Sequence, residues 1–185
     1  LNADEKCLNL STFNEEISCI KYIQEQQLKL VNSQECREFF ISVEPLEYLN
    51  ANKGCCWDRA RFIEKALSYY NFKTKRISLY KPQSNDKLWL FKKSIPSHAT
   101  SEVKTIKGYL GIDSLSTLLL LDQNSQPLTF RKAKEIDYKF GDDQEFFALN
   151  GEYKVIEGLY SRLGNKYGLK FIPDINVFDF FNQFL

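Results

Sequence analysis

Residues 54–80 read GCCWDRARFIEKALSYYNFKTKRISLY, and the pattern changes twice along them. Gly54 belongs to a loop. From about Cys55 to Tyr70, Ala60, Ile63 and Leu67 recur three and four apart, with Ala66 and Tyr70 widening the stripe, which is helical spacing. Asp58, Arg59, Glu64 and Lys65 then fall on the opposite face and read as its solvated side. Asn71 ends the helix, and Thr74–Tyr80 alternates as a strand does. Loop, helix and strand in this order place Cys55 and Cys56 at the start of a helix.

Downstream, Ile95-Pro96-Ser97 turns into SHATSEVKT, residues 97–105, which holds the only histidine of the chain. Gly108 suits the tight turn of a hairpin, and Tyr109–Ile112 returns antiparallel to end at Asp113. The hairpin sets His98 and Asp113 side by side although they are 15 residues apart. The expected fold class is therefore α+β: a cysteine on a helix, with a histidine and an aspartate on adjacent strands.

These three residue types suit nucleophilic catalysis. A thiol attacks as the thiolate, and its pKa falls to roughly 3.5–7.5 at a helix N-terminus or beside a histidine cation. Cys56 lies in the expected first turn, where the helix dipole favours negative charge. His98 is the base that a thiol nucleophile needs. A carboxylate, Asp113, orients the imidazole and stabilises its cation. The backbone N–H of Cys56 suits an oxyanion. The side chains of Asn50 or Asn52, or another backbone N–H, are candidates for the second donor, and Trp57 is a candidate cleft wall. On its own a cysteine is usually core and a histidine usually a hydrogen-bonded structural residue; the joint placement carries the chemical reading. Cys55 is the rival nucleophile, with packing or a disulfide that masks the site as its other roles.

The same residues resemble the transglutaminase-like superfamily of papain-related cysteine enzymes. The resemblance covers Gly54 to Ser114, about a third of the chain. It rests on Gly54-Cys55-Cys56-Trp57 with Ala60 four residues past the cysteine, then on Tyr70 through Arg76. It continues with His98 and Glu102 four apart, and ends with Gly108-Tyr109 through Asp113. Papain shares the Cys-Trp pair but has its histidine much further downstream. The spacing to Ala60 selects Cys56 over Cys55. The chain departs from the family at Thr100, where a Trp is common, at Ser114, where a Pro is common, and at Asn71, which replaces a Gly. The resemblance implies a papain-like core and a Cys56-His98-Asp113 triad. The activity expected is cofactor-free acyl transfer on an amide or peptide through a thioester. Water as acceptor gives a protease or amidase, the expected outcome; an amine gives a protein crosslinker. A non-catalytic binding module of the same fold, and a protein processing cell-envelope polysaccharide or peptide, are the alternatives. Protein or peptide substrates are the expected partners.

Working outward, Thr12 and Glu15 form a capping-box pattern. A helix is expected from Thr12, with Phe13, Ile17, Ile20 and Val31 on its apolar face. Residues 1–10 read as a loose lead-in. Ser33 suits the cap of a short helix through Phe40. Pro45 breaks that pattern, and Leu46–Lys53 reads as turns. Pro82–Asp86 reads as a loop and Leu88–Phe91 as a strand. Past Ser114, Leu115–Leu121 is a buried apolar run, Gln123–Pro127 a turn, Lys132–Ile136 a short helix and Gly141–Gln144 a loop. Tyr153–Leu163 fits either strand or helix. Asp174 caps an expected final helix, whose Phe178, Phe180, Phe181 and Phe184 read as packing. No linker or repeat interrupts the chain, so one domain over 1–185 is expected.

Composition narrows the classes. The net charge is +1 and the 25 Lys and Arg are spread along the chain, which argues against a nucleic-acid surface. Lys73 through Arg76 reads as an exposed strand entrance. No apolar run approaches 18 residues, so no membrane span is expected. The five cysteines and one histidine lack zinc spacing, so no metal is expected. Cys7, Cys19 and Cys36 read as packing or surface thiols, with one disulfide among them if the protein is exported. The chain has no methionine, which reads as a processed or trimmed form and leaves exported and cytoplasmic locations both open.

Overall fold

The computed structural model describes residues 3–35, 45–81, 97–136, 153–157, 159–162, 165–166 and 174–175. The chain is α+β, with helices packed on an antiparallel sheet. The helices are α1 (Ala3–Cys7), α2 (Phe13–Leu30), α3 (Pro45–Ala51), α4 (Cys56–Tyr69) and α5 (Phe130–Glu135). The strands are β1 (Lys73–Tyr80), β2 (Ser97–Thr105), β3 (Gly108–Ile112), β4 (Lys154–Glu157), β5 (Leu159–Arg162), β6 (Asn165–Lys166) and β7 (Asp174–Ile175).

The main sheet has the order β3-β2-β1-β4, each neighbouring pair antiparallel. Register pairs Ser78 with Ala99, Arg76 with Ser101 and Ser101 with Ile112. One face of the sheet meets the helices: Val103, Leu110 and Ile112 pack with Ile20 and Ile23 of α2 and Ile63 and Leu67 of α4. The other face, through Ile77 and Leu79, packs on Leu120, Leu128, Phe130 and Ala133. Burying a side chain the size of Ile63 or Leu67 stabilises by about 1.5–3 kcal/mol. A smaller sheet has the order β6-β5-β7.

Local chemistry sets the helix ends. Thr12 caps α2, its hydroxyl accepting from the Glu15 N–H while the Glu15 carboxylate accepts from the Thr12 N–H. The backbone N–H groups of Ser11 and Thr12, both donating to the Glu15 carboxylate, bring this exposed group down to about 2. Helix α4 stops in a Schellman turn: the Asn71 N–H donates to Ser68 O and the Phe72 N–H to Leu67 O. That turn needs a positive φ, and Asn71 supplies it at 64°, a conformation asparagine tolerates better than most non-glycine residues. The hairpin between β2 and β3 turns at Gly108, whose φ is 129°.

Several expectations are corrected. Residues 3–7 are a helix, tied to α2 by a Cys7–Cys19 disulfide, where a loose lead-in was expected. Pro45 begins α3, where a proline is tolerated because the first helical position loses only an N–H that has no intrahelical acceptor. Leu46–Ala51 is therefore helix, and only the residues after it form the turn. Tyr153–Leu163 resolves in favour of strand, in β4 and β5. Asp174 and Ile175 pair with β5 as a strand and do not start a helix. Ser33 forms a bridge with Lys53 and caps no helix at residues 34–35; the rest of that expected helix at 36–40, the expected elements at 82–86, 88–91 and 141–144, and the four phenylalanines at 178, 180, 181 and 184 lie outside the described residues.

Candidate active site

Helix α4 begins at Cys56, with Cys55 as its N-cap in extended backbone. The Cys55 N–H donates to Asp58 Oδ2 at 3.2 Å, so a carboxylate in the first turn closes the cap. Gly54 is required by close approach: a Cβ there would lie 2.6 Å from the Tyr48 ring and 2.9 Å from Asp58 Cβ. Cys55 is disulfide-bonded and Cys56 is a free, partly buried thiol. Cys55 therefore has no thiol to serve as nucleophile, and packing is not its only role.

The three predicted site residues come together. His98 Nε2 lies 2.6 Å from Asp113 Oδ1, and the imidazole also hydrogen-bonds the Cys56 sulfur. The sulfur accepts a second bond from the Ala99 N–H, on the strand that carries His98. Since Asp113 engages Nε2, Nδ1 is the ring nitrogen left for Cys56. Both His98 and Asp113 are buried.

Burial works against charge on both members of the sulfur–imidazole pair. It pushes the Cys56 thiol up, but the hydrogen bond and positive charge of His98, with the Ala99 N–H, outweigh it and bring the thiol below its ordinary range. It likewise pushes His98 down, yet the charge and hydrogen bond of Asp113, helped by Cys56, raise the ring to about 10. The arrangement thus favours a thiolate beside an imidazolium, with Asp113 behind the ring.

The carboxylate is itself saturated. Asp113 Oδ1 also accepts from the Ser114 N–H at 2.7 Å, and Oδ2 accepts from Ser116 Oγ at 2.7 Å. A proline at 114 would have no N–H to give, so the bond from Ser114 to the acid needs a non-proline residue there. Ser114 Oγ donates to Ala99 O at 2.6 Å, joining the acid loop to the histidine strand. Thr100 of β2 donates its hydroxyl to Ile112 O of β3.

Charged residues expected on the solvated side of α4 are buried and hold it in place. Arg59 donates through Nε to Gly54 O at 2.9 Å and through Nη2 to Val31 O at 2.9 Å and Ser33 O at 3.1 Å. Glu64 takes a bidentate ion pair from Arg76, at 2.6 and 2.8 Å, and a bond from Ser101 Oγ at 2.6 Å. Arg76 also reaches Trp57 O at 3.3 Å. Asp58 is buried at the cap, and Lys65 alone of the four expected residues is exposed. Arg76 is likewise no part of an exposed strand entrance. Helical periodicity assigns faces but does not see partners arriving from the chain just after α2, the loop before α4, or β1.

Asn50 and Asn52 are exposed, and among the described contacts neither amide reaches Cys56, His98 or Asp113. Asn52 ends α3 in the left-handed region, with φ 47°. Trp57 is buried against Cys55 and Ala99, where it forms a wall behind Cys56. Glu102 is buried on the far face of the sheet, accepting from the Phe130 N–H at 3.0 Å. Burial pushes its carboxyl up, and its work is to hold α5, not to face solvent.

Two residues that pattern reading passed over are Gln24 and Gln27. Gln27 sits fully buried between Tyr48, Arg59 and Ser114, with its amide oriented so that the oxygen accepts from Tyr48 and Arg59 and the nitrogen donates to Ser114 O. Gln24 binds the acid loop. Both interrupt the apolar face of α2, which was the available signal.

Among the described residues no cluster of His, Cys, Asp and Glu could hold a metal ion, and no helix is long and apolar enough to cross a membrane. No family model, curated protein or solved structure matches the chain.

Proposed function

We propose that this chain is a cysteine-dependent acyl-transfer enzyme with a papain-like core of the transglutaminase-like kind, acting on amide or peptide bonds. The observation that carries the proposal is the contact row of Cys56, His98 and Asp113 at the start of α4. The order of nucleophile, base and acid along the chain, and a cysteine on a helix facing a hairpin, support the same reading.

The chemistry follows from the geometry. The Cys56 thiolate attacks the carbonyl carbon, and the oxyanion forms near the N–H groups of the first helical turn, which lack intrahelical acceptors. His98, protonated on the nitrogen facing the sulfur, gives that proton to the leaving amine as the C–N bond breaks. A thioester on Cys56 remains. Water, deprotonated by His98, then attacks the thioester carbonyl, releasing an acid and restoring the ion pair. An amine in place of water gives a new amide. Asp113 keeps the imidazole oriented throughout. Hydrolysis is the proposed outcome, since water needs no acceptor site. A protein or peptide is the proposed substrate.

The test is an acylation burst. Mixed with p-nitrophenyl acetate, the protein should release nitrophenol in a burst of about one equivalent, with acetyl found by mass spectrometry on Cys56. The Cys56→Ala protein should show no burst. Acetylation spread over lysines, with no burst, would remove the proposal. Adding a primary amine then separates the acceptors, because an aminolysis product marks a crosslinker.

A further inference from the structure

The carboxylate facing His98 is carried by residues 113–118, which have no regular secondary structure; Gln27 of α2 reaches that segment at Ser114 O, and Gln24 of α2 gathers three of its other carbonyls. Gln24 is fully buried. Its Nε2 lies 2.8 Å from Asp113 O, 3.1 Å from Ser116 O and 3.3 Å from Leu118 O. An amide nitrogen has two protons, so these three carbonyls share it and are drawn around a single point. Two of the three belong to the residues that supply and brace the carboxylate, Asp113 and Ser116. Gln24 stands among Ile20 and Ile23 on the apolar face of α2, where an apolar side chain would avoid the cost of burying an amide.

We infer that Gln24 is a positioning residue of the site: by fixing the backbone of Asp113 it holds the carboxylate in contact with His98. This rests on the proposed Cys56-His98-Asp113 reading. Gln24 touches no reacting atom and acts only through Asp113. The titratable groups facing the ring are Cys56 from α4 and Asp113 from the end of β3. Attraction between charges weakens with distance. A carboxylate released from its anchor therefore stabilises the imidazolium less, and the imidazolium in turn stabilises the thiolate less.

Two variants test this. Gln24→Met keeps the side-chain length and removes the donor. Gln24→Asn keeps the amide and withdraws it by one methylene, and it decides the matter alone if the first variant does not fold. Two readouts apply: the pH midpoint of Cys56 alkylation by iodoacetamide, and the NMR titration of the ring of His98, the only histidine of the chain. The expected result is an alkylation midpoint raised by about one pH unit, which is about tenfold slower labelling on the acid side, with the ring titrating at lower pH. Ile20→Val, which weakens the same helix without touching the acid loop, should move neither. A folded Gln24 variant that titrates like the wild type overturns the inference. Wild-type labelling that is indifferent to His98→Ala overturns the site reading instead, and the inference with it.

Discussion

The Nε2 atom of His98 stands 2.6 Å from Oδ1 of Asp113, and that contact commits one ring nitrogen to the carboxylate while leaving the other to the sulfur of Cys56. One ring thus links two groups of opposite function. The acid raises its affinity for a proton, and the proton it holds stabilises the thiolate.

Asp113→Asn keeps the shape of the acid and removes its charge. The ring should then titrate well below about 10, and any acyl-transfer activity should fall by about 10²–10⁴-fold. Activity within a few-fold of wild type would mean that the carboxylate is a structural partner of Ser114 and Ser116 only.

Stability should depend on pH through the same ring. The folded value of about 10 lies above the ordinary 6.5. The folded state therefore binds the extra proton between those values, and the stabilisation is full below pH 6.5 and lost as pH rises towards 10. Cys56 acts in the opposite sense, since its depressed value stabilises above the ordinary thiol range and is lost on acidification. In Cys56→Ser the ring acts alone, so denaturant midpoints should fall between pH 7 and 10, by on the order of 2 kcal/mol. A flat profile in that protein, matching Cys56→Ser/His98→Gln, would contradict the raised ring.

The ion pair between Glu64 and Arg76 fastens α4 to β1. Arg76→Met leaves a buried carboxylate without its partner and should cost about 3–5 kcal/mol in chemical denaturation. Glu64→Gln added to it should restore part of that loss. A single variant as stable as wild type would show that the pair does not hold the helix.

Much of this was legible in the chain, and the failures have physical causes. The Thr12 cap, the helix from Cys56 and the hairpin turning at Gly108 are local patterns, set by neighbours within a few residues. His98 and Asp113 could be paired because a hairpin is itself local. Arg59, Asp58, Glu64 and Arg76 were read as solvated because each finds its partner in a distant segment or at a helix cap. Helix α1 is only five residues long, too short for periodicity to mark. The proline at 45 has two opposite meanings, breaker and starter, which only the following backbone decides. Gln24 and Gln27 broke an apolar stripe, but a stripe does not say what a buried amide will meet.

The Cys7–Cys19 disulfide joins α1 to α2, away from the site. Replacing both cysteines by alanine should lower stability by about 2–4 kcal/mol and lower the melting temperature, while Cys56 labelling of the folded protein stays unchanged. Loss of Cys56 reactivity in that variant would tie the N-terminal helices to the site more closely than their contacts imply.

The most direct test of the thiolate–imidazolium pair is the rate at which iodoacetamide alkylates Cys56 between pH 4 and 10, in wild type and in His98→Ala. Wild type should label rapidly at pH 6, well below the range of an ordinary thiol, and His98→Ala should label there about 100-fold more slowly, recovering only as pH passes about 8.5. Two superimposable profiles, both rising near pH 8.5, would contradict the pairing and with it the enzymatic reading of this chain.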